Sequence, residues 1–152
     1  MTDIHQPAPD LYAAGQPEPD ELASFAGRGV RTVINLRTPG EALPFDEAQE
    51  VERLGLRYVC IPVAGAQDLA PETIRRFSDE LAEARRQGAV LVHCGSANRV
   101  GALLALDQGV TQGASREDAL AFGRRAGLAG LAPAVEELLA QEERTGKKGS
   151  QR

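Results

Sequence analysis

Residues 89–101, AVLVHCGSANRVG, carry the pattern that decides the fold. The first four of these residues are apolar and mostly valine or leucine, which is typical of a buried strand. Small and polar residues follow Cys94, and a largely apolar helix is predicted over 100–110. A strand, a tight turn and a helix in this order indicate one unit of an α/β fold.

Strands and helices alternate on both sides of this unit. Apolar and β-branched runs predict further strands, and amphipathic segments with Pro, Gly or Ser at their ends predict helices between and after them. We therefore expect a three-layer α/β sandwich around a mainly parallel sheet of about four to five strands. The predicted strands lie at 11–15, 32–36, 56–63 and 89–93, and the clearest helices at 73–88 and 100–110.

The composition is that of one globular domain. The chain has 152 residues, 42% of them hydrophobic, and a formal net charge of −5. An acidic chain is a poor candidate for general nucleic-acid binding, and no apolar run approaches the roughly 18 residues that span a bilayer. With no signal-peptide pattern, we expect a cytoplasmic protein that binds neither nucleic acid nor membrane. The expected organisation is a flexible arm over 1–10, a domain over 11–143 and a disordered tail over 144–152.

The residues around Cys94 fit the binding of an oxyanion and its attack by a nucleophile. Small residues at 95–97 let successive backbone N–H groups converge on an anion, and the following helix adds the partial positive charge of its N-terminus. Arg99 supplies a bidentate fork for a tetrahedral oxyanion. The same field favours the thiolate of Cys94, so we expect a reactive nucleophile here, with a small buried cysteine as the alternative.

The segment HCGSANRVG (93–101) resembles the active loop of the cysteine-based protein phosphatases. Roughly residues 11–140 are similar to the bacterial dual-specificity-phosphatase-like proteins, which occur alone or fused to hydrolases or NAD kinase. The resemblance implies the dual-specificity-phosphatase fold and a phosphatase that needs no metal and no cofactor. Its substrate would be a phosphorylated small molecule or a phosphoprotein. The other matching segments are GQPEPDEL (15–22), VINLR (33–37), YVCIPV (58–63) and EDALAFGRRAGL (117–128).

Carried over to this chain, the resemblance implies a phosphocysteine intermediate on Cys94, with the phosphoryl oxygens held by Arg99 and by the loop between them. That loop departs from the phosphatase pattern, because it has four residues where phosphatases have five. Val100 stands where phosphatases usually have Ser or Thr. A four-residue spacing also resembles rhodanese-type sulfurtransferases, in which Cys94 would carry a persulfide. A non-catalytic oxyanion-binding module is the third possibility. The loop residues are Gly95, Ser96, Ala97 and Asn98.

Two charged residues on neighbouring loops are candidates for the same site. Asp68, on the loop over 62–71, is the candidate general acid, with a surface carboxylate near a helix N-terminus as the alternative. Arg37, directly after a predicted strand, is a candidate contact for the anion. It could instead pair with Glu41 or Asp46.

Three residues have predicted supporting roles. His93 could hydrogen-bond the loop and hold its shape, and Asn98 could order the loop through its amide or simply favour a turn. Cys60 is predicted to pack in the core, with a reversible disulfide to Cys94 as the alternative. No cluster of ligands has the spacing of a metal site.

Overall fold

The structure, a computed structural model, describes residues 3–150, with side chains through residue 145. Five strands form one sheet in the order β1-β2-β5-β3-β4. β1 is antiparallel to β2, and every other neighbouring pair is parallel. The strands are β1 (Ile4–Ala8), β2 (Leu11–Ala14), β3 (Val30–Asn35), β4 (Arg57–Cys60) and β5 (Ala89–His93).

Helices cover both faces of the sheet, which confirms the predicted three-layer α/β sandwich. The first two helices pack on one face, and the remaining four pack on the other. A 3₁₀ turn (Ala66–Asp68) precedes α3, and a π-helical turn (Asp107–Thr111) follows α4. The helices are α1 (Pro19–Gly27), α2 (Glu47–Arg53), α3 (Pro71–Gln87), α4 (Asn98–Leu106), α5 (Arg116–Arg125) and α6 (Ala132–Ser150).

The burial of α3 and α4 follows from their sequences. α3 has one apolar face at helical spacing, and it buries Ile74, Phe77 and Leu81 against the sheet. α4 is apolar on all sides, and every residue from Val100 to Leu106 is buried, so it lies inside its layer. No helix in the described part of the chain is long and apolar enough to cross a membrane.

The parallel strands β2, β3, β4 and β5 end at the same edge of the sheet, with β5 between β2 and β3. In open α/β sheets this edge is where ligands bind. The loop that follows β5 therefore lies between the loops that follow its neighbours, and this places the residues predicted for the site close together.

The two ends of the chain differ from the sequence-based prediction. The arm expected to be flexible contains β1, which pairs with β2 and extends the sheet by one antiparallel strand. Helix α6 continues to Ser150, so the segment over 144–150 is helical where a disordered tail was expected. Residues 1, 2, 151 and 152 of the predicted arm and tail lie outside the described residues.

Candidate active site

Cys94 lies at the carboxyl end of the central strand β5. Its backbone amide donates to the Ala14 carbonyl on β2 (3.1 Å), and its side chain is fully buried. The loop then turns into α4 at Ala97, whose φ of 73° is left-handed, a conformation that residues other than glycine seldom adopt. The first turn of α4 leaves the amides of Asn98 and Arg99 without helical acceptors, so they are available to an anion.

The small residues around the loop are required by close packing. A Cβ on Gly15 would lie 2.8 Å from the Gly95 carbonyl oxygen, and one on Gly127 would lie 2.6 Å from the Ala97 Cβ. The end of β2 and the connection between α5 and α6 therefore hold the loop from two sides. A Cβ on Gly95 would lie 3.1 Å from an Arg99 nitrogen, so the guanidinium lies against the loop.

The Arg99 guanidinium is held in a fixed orientation. Nη1 donates to a Glu41 oxygen and to the Val63 carbonyl (both 2.8 Å), and Nη2 donates to the other Glu41 oxygen (2.9 Å). These three bonds use three of its five N–H groups. The Nε–H group and one Nη2–H group remain available to the Cys94 loop. The hydrogen bond with Glu41 raises the pKa of Arg99, burial opposes this, and the Cys94 side chain raises it further.

Glu41 is a site residue that the sequence analysis named only as a possible partner of Arg37. Besides Arg99, its carboxylate accepts from Arg37 Nε (3.1 Å) and from the Thr38 amide (2.7 Å) and hydroxyl (3.0 Å). The hydrogen bond from Arg99, opposed by burial, holds the pKa of Glu41 well below its usual range. Glu41 is therefore an ionised acceptor, and it is unsuited to act as a general acid.

Arg37 stabilises the loop after β3, because its guanidinium nitrogens donate to other groups of the protein. Besides Glu41, it donates to Gln16 Oε1 (2.6 Å) and to the Ala42 carbonyl (2.9 Å), and its side chain is only 13% exposed. The ion-pair alternative is therefore confirmed. The structure does not place Arg37 at the mouth of the site, where contact with an anion was predicted.

Asp68 ends the 3₁₀ turn on the loop after β4. One of its carboxylate oxygens accepts from the Ala64 amide (2.7 Å). Ala64 and Gly65 of the same loop line the mouth of the site, whereas Asp68 is not among the lining residues. The loop thus brings Asp68 to the edge of the sheet at which Cys94 lies. Its role as the general acid stays a prediction.

The mouth of the site is an open cavity of about 480 Å³ beside Arg99. Asn98 forms part of its wall, and its side-chain oxygen accepts from the amides of Ala129 (2.8 Å) and Leu131 (3.3 Å). The Asn98 side chain therefore ties the connection into α6 to the start of α4, and the predicted ordering of the Cys94 loop by its amide stays a prediction. The other lining residues are Thr38, Glu41, Ala64, Gly65 and Leu131.

His93 does not hydrogen-bond the loop, contrary to the prediction. Its ring is fully buried on the face of the sheet that α1 and α2 cover, and Nε2 lies 2.5 Å from a carboxylate oxygen of Glu47. Nδ1 has no hydrogen-bond partner among the described residues. Glu47 was not predicted from the sequence, because no local pattern connects the start of α2 with the end of β5.

Cys60 is exposed, so the predicted core packing is wrong. It shares the α1–α2 face of the sheet with Tyr58, two residues earlier on β4, whereas Cys94 belongs to the core on the opposite face. β3 separates their strands, so their Cα atoms are about 10 Å apart, beyond the roughly 7 Å that a disulfide spans. A Cys60–Cys94 disulfide is therefore excluded in this fold.

Among the described residues, no group of three or more His, Cys, Asp or Glu side chains could hold a metal ion.

Comparison with known proteins places this arrangement in a family. The family model described as "Beta-lactamase hydrolase-like protein, phosphatase-like domain" matches residues 3–111. The beta-lactamase hydrolase-like protein of Xylella fastidiosa (strain Temecula1) is 37% identical over 121 residues, which cover 77% of this chain. The match covers 27% of that protein, so the chain spans about a quarter of the length of this relative.

Solved structures share the fold. A DUF442 protein from Shewanella putrefaciens CN-32 has a TM-score of 0.72 at 27% identity, covering 93% of this chain and 89% of that one. P. aeruginosa TpbA, solved in complex with phosphotyrosine, has a TM-score of 0.70 at 21% identity, covering 88% and 80%. The latter likeness concerns the fold alone. With the family model matching most of its length, the chain belongs to the family of phosphatase-like domains of beta-lactamase hydrolase-like proteins.

Proposed function

We propose that this protein is a metal-independent, cysteine-dependent phosphatase that hydrolyses a phosphate monoester. The observation that carries the proposal is the placement of Arg99. Its guanidinium is locked by Glu41 at one end and lies against the Cys94 loop, at the start of a helix. Phosphoryl transfer through cysteine requires a thiol as the nucleophile, with a fixed cation and free backbone amides beside it to bind the phosphoryl oxygens.

The proposed reaction has two steps. The Cys94 thiolate attacks phosphorus, and an S–P bond forms as the bond from phosphorus to the leaving oxygen breaks. Asp68, as a carboxylic acid, gives its proton to that oxygen. The resulting carboxylate then takes a proton from water, whose oxygen bonds to phosphorus as the S–P bond breaks. Inorganic phosphate leaves, and the thiolate and the acid are restored.

The surroundings of the mouth support a phosphorylated small molecule or a phosphoprotein as the substrate. The cavity is open and holds one cation, Arg99, among its lining residues. A single guanidinium suits one phosphate group, and an open mouth admits esters of different sizes. TpbA, which shares the fold, was solved with phosphotyrosine. The reaction needs a free thiol, so we place the protein in a reducing compartment such as the cytoplasm.

The test is release of phosphate from p-nitrophenyl phosphate, with a chelator present, for the wild type and two cysteine variants. Cys94→Ser removes the proposed nucleophile. Cys60→Ser is the matched control, because it removes the other cysteine on the opposite face of the sheet. We expect turnover in the wild type and in Cys60→Ser and none in Cys94→Ser, with a phosphate adduct on Cys94 after rapid quenching.

The alternatives give different results. A sulfurtransferase would release no phosphate, and thiosulfate would add one sulfur atom to Cys94 in the intact-mass spectrum. A non-catalytic module would bind inorganic phosphate without turnover, and its binding would survive Cys94→Ser. Turnover that persists in Cys94→Ser would overturn the proposal.

A further inference from the structure

A chain of hydrogen-bonded polar side chains, buried at His93 and Glu47 and half-buried beyond them, connects the end of β5 with Arg99. From one end, His93 Nε2 contacts Glu47 Oε2 (2.5 Å), and Gln16 Nε2 donates to Glu47 Oε1 (2.8 Å). Gln16 Oε1 accepts from Arg37 Nη1 (2.6 Å), and Arg37 shares the Glu41 carboxylate with Arg99. His93 precedes the nucleophile, so the chain runs from the Cys94 strand to the guanidinium that faces Cys94.

The hydrogen bonds around Glu47 suit an ionised carboxylate. Arg37 can only donate, so the Gln16 oxygen must face it and the Gln16 amide nitrogen must face Glu47. An ionised Glu47 accepts from Gln16 on one oxygen and from the His93 Nε2–H group on the other. A glutamine there would present its NH₂ group to His93, and the ring would have to change tautomer to accept it.

The pKa of Glu47 agrees with an ionised carboxylate, although the side chain is almost fully buried. Burial favours the neutral acid, but hydrogen bonding and charge at His93, with further hydrogen bonds from Gln16 and Tyr58, outweigh it. The pKa of Glu47 is therefore below its ordinary value. A buried carboxylate that keeps its charge is unusual and depends on such partners.

The position of this pair connects it to the nucleophile. The His93 carbonyl accepts from the Leu36 amide (2.9 Å), and the next amide, that of Cys94, is tied to Ala14 (3.1 Å). The backbone at the end of β5 is thus hydrogen-bonded to β2 and to Leu36, and the His93 ring is held by Glu47. One peptide bond joins His93 to Cys94, so a change in the position of the ring would reach the nucleophile through that peptide.

We propose that Glu47 is a positioning residue for the reaction at Cys94. It fixes the His93 ring, and through the end of β5 it sets where the thiolate lies relative to Arg99. This inference rests on the proposed function for its effect on turnover. It does not need that function for its effect on the reactivity of Cys94.

The experiment compares Glu47→Gln, Gln16→Ala and the double variant in a Cys60→Ser background. For each, kcat and KM are measured with p-nitrophenyl phosphate, and the rate of Cys94 alkylation by iodoacetamide is measured by mass spectrometry. A misplaced nucleophile loses rate at the chemical step, on the order of 100-fold for a displacement of about 1 Å. We expect kcat to fall by up to about that factor in Glu47→Gln, with little change in KM, and Cys94 alkylation to slow.

The two single variants act on one chain, so their effects should not multiply. We expect the double variant to resemble Glu47→Gln. The matched control is Asp107→Asn, which alters another buried carboxylate, bonded to Ser78 on the opposite face of the sheet (2.6 Å). It should leave kcat and alkylation unchanged, which separates a positioning effect from the general effect of neutralising a buried carboxylate.

The outcomes separate this inference from the proposed function. Wild-type kcat and alkylation in Glu47→Gln would overturn the inference while leaving the phosphatase intact, and so would effects that multiply in the double variant. If the wild type releases no phosphate, the proposed function fails and alkylation alone decides. Slower alkylation in Glu47→Gln then supports the positioning role, and equal rates overturn it. If Glu47→Gln does not fold, the alkylation rate of Cys94 in Gln16→Ala decides in the same way: a slower rate supports the positioning role and an unchanged rate overturns it.

Discussion

At the scale of single residues, Asp68 has the role that a substitution can test most directly. Asp68→Asn keeps an oxygen for the Ala64 amide and therefore keeps the loop, but it has no proton to give. General acids contribute about 100-fold or more when the leaving group is poor. We expect kcat to fall by about that factor for an alkyl phosphate and much less for p-nitrophenyl phosphate, whose leaving group needs little protonation.

The control for Asp68 is Asp79→Asn, a carboxylate on α3 that lines a separate cavity. This variant should leave kcat unchanged for both the alkyl phosphate and p-nitrophenyl phosphate. An equal loss for the two substrates in Asp68→Asn would show that Asp68 supports the loop and is not the acid.

Glu41 gives a second prediction at this scale. Glu41→Gln places an NH₂ group against one end of the Arg99 fork, so one charge-assisted hydrogen bond is lost and the guanidinium is held less firmly. Such a bond contributes about 1.5–3 kcal/mol, which is roughly 10–100-fold in affinity. We expect inorganic phosphate to bind correspondingly more weakly, as measured by calorimetry, and kcat/KM to fall in parallel.

The matched control is Glu50→Gln, which removes a similar ion pair with Arg53 on the surface of α2. Its phosphate affinity should equal that of the wild type. Tighter phosphate binding in Glu41→Gln would mean that the carboxylate competes with the substrate for Arg99 instead of orienting it. Because the pKa of Glu41 is far below its usual range, acidification to pH 5 should not reproduce the effect.

The sequence predicted Cys94 and Arg99 because their chemistry lies in one contiguous motif. Asn98 was predicted to order the Cys94 loop, whereas its side chain binds the connection into α6, a contact with no signal in the local sequence. Glu41 and Glu47 were missed as site residues, because their partners lie 58 and 46 positions away along the chain and only the packing of the loops brings them together. The family resemblance alone would not have revealed which acid orients Arg99.

At the scale of elements, the connection between α5 and α6 is predicted to control the Cys94 loop. Gly127 has a φ of 111°, and a Cβ there would lie 2.6 Å from the Ala97 Cβ. Gly127→Ala therefore combines backbone strain of about 1–2 kcal/mol with a clash against the loop. We expect a lower melting temperature and a loss of kcat/KM, measured by calorimetry and by phosphate release.

Gly113→Ala isolates the clash from the strain. Gly113 also has a positive φ (80°), but a Cβ there meets nothing within 4 Å. This variant should lose a similar amount of stability to strain and keep its activity. Equal activities for the two variants would contradict a mechanical link from this connection to the loop.

The elements also differ in how well their sequences predict them. The amphipathic pattern of α3 and the valine-rich run of β5 are local signals, and both were found. β1 was not, because its sequence IHQPA contains Pro and polar residues and lacks the alternation of a half-buried strand. Its pairing with β2 forms it, and a tertiary contact of that kind leaves no periodic pattern in the sequence.

At the scale of the whole molecule, alternating strands and helices predicted the parallel sheet and its two helical layers. They did not predict the strand order, which puts β5 between β2 and β3. That order brings the loops after β3 and β4 around Cys94, and it also excludes the disulfide to Cys60 that the sequence left open. Predicting the layers needs only local patterns, whereas predicting the order needs long-range pairing.

The stability of the whole molecule should depend on pH through Asp107, which is buried between the helices of the larger layer. Burial raises the pKa of Asp107, and hydrogen bonds from Ser78 and Gln112 only partly offset this. A carboxyl with a raised pKa in the folded state stabilises the fold fully below its unfolded pKa. That contribution is lost as the pH rises through the folded pKa. Above the folded pKa the wild type therefore carries a buried charge that unfolding would relieve.

Asp107→Asn removes that charge and keeps an oxygen for the Ser78 hydroxyl. We expect the variant to be more stable than the wild type at pH 7 by about 1 kcal/mol, since an amide costs less to bury than a carboxylate that has no ion-pair partner among the described residues. This corresponds to a rise in melting temperature of about 2–4 °C for a chain of this size. The difference should shrink towards pH 4, because the raised pKa lets Asp107 take up its proton in the folded state before it does so in the unfolded chain. Urea unfolding at the two pH values measures it, and a variant less stable than the wild type at pH 7 would show that Asp107 stabilises the helices as a carboxylate.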